Sequence, residues 1–144
     1  MRDRYLEEAK ELLYKEETRT CAVVWADEAA KEPYVSEEKG IRPLMKLLEE
    51  GGLALSNGCL ADKVIGKAAA FLAVYGGVSQ IYADVISEAA LRVLQAEEVY
   101  CEYREVVPYI VNRTKTGRCP MESAVWEISD ADMAYRVLKE KING

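Results

Sequence analysis

Apolar positions recur at helical spacing near the start of the chain. Leu6, Ala9 and Leu13, with Tyr5 and Leu12 alongside, make one face, and acids and lysines fill the other. That period predicts an amphipathic helix over residues 3–16. The stretch Thr20–Ala26 (TCAVVWA) is rich in strand formers, and Tyr34–Ser36 is a shorter stretch of the same kind. The polar residues between them predict an antiparallel hairpin with a long loop. After Gly40, Pro43 sits near the first turn of a short helix carrying Leu44, Leu47 and Leu48, which Gly51-Gly52 stops. Leu53-Ala54-Leu55 reads as a brief strand before the turn Ser56-Asn57-Gly58.

The middle of the chain carries the strongest pattern. Asp62 reads as the N-cap of a helix running to about Tyr75 and ended by Gly76-Gly77. Val64, Ala68, Phe71, Leu72 and Tyr75 form its apolar stripe, and Gly66, Ala69, Ala70 and Ala73 a face of small residues. Such a helix can lie close against a sheet. Gln80–Ile86 then reads as a strand, Ser87 as the cap of a helix through Ala96, and Val99–Val107 as another strand. Strand, helix, strand at this spacing implies parallel pairing with a right-handed crossover. A turn-rich stretch follows over Asn112–Gly117, then a short helix from Pro120. A last helix after Ser129 carries Met133, Ala134, Val137, Leu138 and Ile142. The order predicts one α/β domain over residues 1–144, with an N-terminal helix, 1–17, as an extension. Its expected architecture is three-layer α/β/α, a mixed sheet with helices on both faces.

Composition narrows the chemistry. A chain of 144 residues is long enough to bury a core without disulfides. The net charge is −6, so no basic excess neutralises phosphates and no nucleic-acid partner is expected. There is no histidine. That removes Ser-His and Cys-His catalysis and histidine metal ligation. The start of the chain has no apolar signal-peptide core, and no run approaches the ~20 apolar residues of a membrane span. The expectation is a cytoplasmic protein with no membrane association. Cys21, Cys59, Cys101 and Cys119 contain no C-x-x-C pair, so no metal or cofactor is expected.

Three places carry candidate chemistry. Gly66-Lys67 superficially resembles a phosphate loop, but Ala61 and Ala68 stand where that motif needs glycine and Ser or Thr. What remains is Lys63 and Lys67, spaced to share a face at the start of the expected helix, with Asp62 capping it. Positive charge at an already positive helix end suggests a site for a phosphate or carboxylate. The bland alternative is a pair of solvated surface lysines. Around the start of the short helix from Pro120, Cys119-Pro120-Met121-Glu122 has the order of N-cap, proline at the first position and glutamate at the third. A thiolate there would be favoured by the helix end and by Arg113, Lys115 and Arg118. Cys119 is therefore the best nucleophile candidate, with Lys67 or Lys63 as acid/base or electrostatic partner. The alternative is a small residue buried at a turn. Ser87 lies at the carboxyl end of a strand, where open α/β sheets bind ligands, and also reads as a plain N-cap.

Taken together, Gly40-Ile41-Arg42-Pro43-Leu44, the run Asp62–Ala70 (DKVIGKAAA), Asn112-Arg113 and Gly117-x-Cys119-Pro120-Met121-Glu122 resemble a family of bacterial domains of unknown function. That family is grouped with the cytidine deaminase-like fold, and the resemblance spans about residues 20–128. It implies a three-layer domain whose pocket lies where the central helix and the next helix begin. Zinc deaminases place His- or Cys-x-Glu at the first of these starts and Pro-Cys-x-x-Cys at the second. Here the first location reads Cys59–Val64 and the second Ile86–Ala90, without those ligands. The expected function is a metal-free, deaminase-type pocket binding a small anionic or nucleotide-like ligand. Asp62, Lys63, Lys67 and Ser87 would line it, with Asn112, Arg113 and Cys119 nearby or supplied by a second subunit. A homo-oligomer is expected, because relatives with that fold associate. The alternatives are a metal-independent enzyme using Cys119, and a structural or interaction protein.

Overall fold

The computed structural model describes residues 2–26, 32–49, 54–112 and 114–143. Five strands form one mixed sheet: β1 (Cys21–Trp25), β2 (Tyr34–Ser36), β3 (Gly58–Ile65), β4 (Gln80–Ser87) and β5 (Tyr100–Val107). Their spatial order is β2-β1-β3-β4-β5. β1 is antiparallel to both β2 and β3, with Cys21 opposite Ser36 on one side and Asp62 on the other. β3, β4 and β5 run parallel. Six helices surround the sheet: α1 (Arg2–Lys15), α2 (Arg42–Glu49), α3 (Lys67–Tyr75), α4 (Glu88–Ala96), α5 (Pro120–Ala124) and α6 (Ala131–Asn143).

The sheet is covered on two sides by unequal layers. Leu6, Ala9 and Leu13 of α1 pack on Ala22, Val24, Cys59, Ala61 and Tyr82. The residues read as an N-terminal extension thus supply the helical layer of that face. On the other face Leu60 and Ile81 meet Leu44, Leu72, Leu94 and Leu138 from four helices, in the larger core. Full burial of one such side chain is worth roughly 1.5–3 kcal/mol, so this second layer holds most of the fold together.

The hairpin, the β4–α4–β5 crossover, and helices α2, α5 and α6 fall where periodicity places them. The start of the central helix does not. Asp62 lies inside β3, in register with Ala83 of β4, and α3 begins at Lys67. Gly58–Asp62 is buried at every position, so the alternation that marks a half-exposed strand is absent. A continuous apolar run is what a strand covered on both faces requires. Gly66 alone separates β3 from α3, which leaves no polar segment to announce the boundary. Val64 belongs to the strand and is 45% exposed, so it is no part of the helix stripe. Phe71, Leu72 and the small residues Ala69, Ala70 and Ala73 are buried. Ala54 and Leu55 lie in a turn rather than a strand, and Leu53 falls outside the described residues.

Candidate functional site

The site is organised by a residue that capping grammar disguises. Cys119 does occupy the N-cap of α5 and Pro120 its first position, but the thiol makes no capping hydrogen bond. Glu122, which the motif reads as reaching back to that cap, turns into the protein and is 1% exposed. Its Oε2 accepts the Lys67 N–H at 2.7 Å and the Ser87 hydroxyl at 2.6 Å. Its Oε1 accepts the Ile110 N–H at 2.7 Å. The first turn of a helix leaves N–H groups without intrahelical partners, and a charged acceptor satisfies them best. Gly66, the N-cap of α3, has no side chain to serve. Glu122 supplies that missing acceptor from a remote part of the chain.

Ser87 completes the arrangement. Its oxygen accepts the Ala90 N–H at 3.1 Å as the N-cap of α4, while its proton goes to Glu122. Gly66 is small because it must be. A Cβ there would stand 2.8 Å from Ile110 Cγ1 and 3.1 Å from Glu122 Oε2.

Beside this clamp, at the carboxyl end of β3, lies a cavity of about 580 Å³. Asp62, Asn112, Cys119 and Glu122 contribute to its wall, and the exposed residues Lys39, Arg42 and Lys141 also line it. Asp62 is 8% exposed, and one of its oxygens accepts the Val64 N–H at 3.2 Å. Burial pushes its pKa up to about 8, against the opposing pull of the Val64 and Lys63 N–H groups and the Lys63 charge. At neutral pH the group is therefore mostly the neutral acid, able to donate a hydrogen bond. With Asp62 neutral, Lys39, Arg42 and Lys141 outnumber the Glu122 carboxylate, which leaves this lining positive on an acidic protein. Ile110, Val111, Asn112 and Cys119 form one side of the wall, where the chain is pinned by the antiparallel Val111–Arg118 bridge. Asn112 shapes the adjoining turn, because its Oδ1 accepts the Thr116 N–H at 3.0 Å and the Thr114 hydroxyl at 3.1 Å. Arg118 anchors this segment, donating to Ser123 Oγ at 2.8 Å with its guanidinium 4.0 Å from the Trp126 ring centre.

The residues singled out by sequence divide between three places. Asp62, Lys63, Asn112 and Cys119 border the one cavity. The Lys63 ammonium, however, points to the α1 side, 5.7 Å from the Tyr14 ring centre. Lys67 does not share a face with it. Its ammonium donates to the Trp126 carbonyl at 2.7 Å and borders a separate pocket of about 300 Å³ with Phe71 and Arg92. Burial lowers the Lys67 pKa, with Glu127 pulling the other way. Neither lysine's ammonium is thus placed as the partner of Cys119. Ser87 is fully buried and its hydroxyl is committed to Glu122 and α4. Arg113 lies outside the described residues. All four cysteines are free, and burial pushes the Cys59 and Cys101 thiols up to about 11. Among the described residues, no three Cys, Asp or Glu side chains cluster in a way that could hold a metal ion. None of the helices described is long and apolar enough to cross a membrane.

Sequence reasoning missed Glu122, Lys39, Arg42 and Lys141. Glu122 carried a signal, a glutamate just inside a helix start, but capping explained it locally. The three cations come from separate segments and converge only in the fold.

A family described as a domain of unknown function (DUF1893) matches residues 8–142. Among solved structures, the chain is similar to the crystal structure of a DUF1893 family protein (TM1506) from Thermotoga maritima, with a TM-score of 0.84. The two are 24% identical over 96% of this chain and 90% of the other, a level that speaks for the fold alone. No curated protein matches.

Proposed function

The chain belongs to the DUF1893 family of domains of unknown function, and we propose that its cavity binds a small organic anion carrying phosphate or carboxylate, nucleotides included. The observation that carries this reading is the convergence of Lys39, Arg42 and Lys141 on a cavity of about 580 Å³ whose buried acid, Asp62, is held largely neutral. That volume lies within the range of small-molecule sites, and the position outside a strand's carboxyl end is where open α/β sheets bind ligands. Cationic side chains would take the anionic group, while Asp62 would donate to a neutral acceptor on the ligand.

We further infer a cytidine deaminase-like arrangement that has lost its zinc site. The strand order and the helices starting at the ends of β3 and β4 support it. The two helix starts read Gly66-Lys67-Ala68 and Ser87-Glu88-Ala89, with no cysteine or histidine to ligate zinc. The first of these differs from the Cys59–Val64 location that follows from a helix start at Asp62. Between the two starts sits the Glu122 carboxylate, which accepts from both. On this reading the ligand occupies the neighbouring cavity, since the junction of the helices is already filled by an internal acid.

Isothermal titration against nucleotides, sugar phosphates and small carboxylates tests the proposal. Arg42→Ala and Lys141→Ala should each weaken binding by roughly tenfold, about 1.4 kcal/mol. Lys67→Ala, whose ammonium faces away, should leave it unchanged. Failure of every compound to bind, or equal binding by all three variants, would overturn it.

A further inference from the structure

The two edges of the sheet are built differently. β2 is three residues long, follows Pro33 and is trailed by Glu37 and Glu38. Short length, proline and charge are the usual means of preventing an edge from pairing with another chain. β5, at the opposite edge, has eight residues and no proline, and its charges, Glu102, Arg104 and Glu105, are of both signs. Its one strand neighbour among the described residues is β4. It is also the least buried strand, with Tyr100 41%, Tyr103 45% and Val106 37% exposed. A long edge bearing exposed tyrosine and valine is a template for strand addition.

Its sequence favours a second copy of itself. When two identical strands pair antiparallel about a two-fold axis perpendicular to the sheet, the residues facing one another have the same parity. Both α1 layers then lie on one side of the joined sheet. Centring the axis on Glu102 sets that acid against itself, and centring it on Arg104 sets two guanidinium groups together. Centring it on Tyr103 places Glu102 opposite Arg104 twice, Tyr100 opposite Val106 twice, and the two Tyr103 rings together. Opposite charges and aromatic–aliphatic pairs are the stabilising cross-strand combinations. Glu102 and Arg104 already stand on one face of the strand, where they engage Lys10 and Asp84 of their own chain. Those contacts fix the face of β5 that both side chains occupy, and a second copy would offer each a further partner across the edge.

We propose that β5 pairs antiparallel with β5 of a second copy, centred on Tyr103, to make a dimer with a continuous ten-stranded sheet. The pairing is independent of any ligand in the cavity.

Sedimentation equilibrium and cross-linking test it on the full chain. The wild type should be a dimer. Glu102→Arg and Arg104→Glu should each raise the dimer dissociation constant by roughly tenfold or more, since each sets two like-charge pairs across the interface. The double variant E102R/R104E restores the opposite pairs and should restore the dimer. Thermal melting of each variant separates lost association from lost folding. As a second readout, the two residues at position 103 would have Cα atoms about 4.5–5.5 Å apart, within disulfide reach. Tyr103→Cys should therefore oxidise to a dimer linked 103 to 103, whereas Val107→Cys, at the strand end, should not. A monomer at high micromolar concentration overturns the proposal. So does a dimer indifferent to both charge reversals, or a cross-link at 107 in place of 103.

Discussion

The Glu122 carboxylate and the Ser87 hydroxyl meet at 2.6 Å although 35 residues separate them. Through that contact the N-terminus of α4, the N-terminus of α3 and the Ile110 segment bordering the cavity share a single acceptor group.

Removing that acceptor should be costly. Glu122→Ala strands the Lys67 and Ile110 N–H groups and the Ser87 proton in a buried place, at about 1–3 kcal/mol each when unsatisfied. A loss of about 3–5 kcal/mol in urea denaturation is expected, with Glu122→Gln falling in between because its amide keeps one acceptor oxygen. Hydrogen exchange should show the Lys67 and Ile110 amides losing protection together. A loss below about 1 kcal/mol would mean that the clamp is not a stabilising contact.

Gly66→Ala should destabilise by about 1–3 kcal/mol through overpacking alone, since its backbone conformation suits any residue. The new methyl would press on Ile110 and on the Glu122 oxygen that caps α3. Combining it with Glu122→Ala should cost less than the sum of the two, because half of the clash disappears. Strict additivity in that double-mutant cycle would contradict the contact.

Asp62 sets a pH dependence whose sign follows from linkage. Its folded pKa of about 8 lies above the ordinary carboxyl value of 3.8. Between those values the folded chain holds a proton that the unfolded chain has released, so stability falls as pH rises. The contribution is full below the ordinary value and gone once pH passes about 8. Asp62→Asn should remove this slope, so the variant gains on the wild type as pH increases. Parallel stability curves for the two proteins across that window would refute the assignment.

The same proton governs ligand affinity if the cavity takes an anion. Deprotonation of Asp62 places a negative charge beside Lys39, Arg42 and Lys141 in one cavity. Anion affinity in the wild type should fall as pH passes through about 8, and in Asp62→Asn it should not. Titration calorimetry at three pH values reads the difference directly.

How much of this the sequence disclosed depends on which interactions are local. The Ser87 cap, the Pro120 helix start and the β4–α4–β5 crossover rest on neighbours within a few positions, and each was legible. Asp62 misled because an aspartate ahead of an alanine-rich helix has the chemistry of a cap, and the doubly buried strand around it shows no alternation. The turn and the short helix that carry Asn112 and Cys119 follow local rules, but whether they border the same cavity as Asp62 depends on contacts distant in sequence, which local patterns leave open. Lys67 was not separable from Lys63 by spacing once the helix cap was misplaced by four residues, at Asp62 instead of Gly66. Glu122 acts over separations that no periodicity records.

Those separations bear on how the molecule assembles. The Glu122 bonds to Lys67, Ser87 and Ile110 close chain spans of 55, 35 and 12 residues. The two longer ones bring their reward only after the intervening entropy has been lost, so they form late. Helices and the β3–β4 pairing, 21 residues apart at Leu60 and Ile81, can arise before α5 docks on α3 and α4. In a refolding experiment, helical signal should therefore return ahead of protection at the Lys67 amide, and any ligand would report only on chains that have completed the last step.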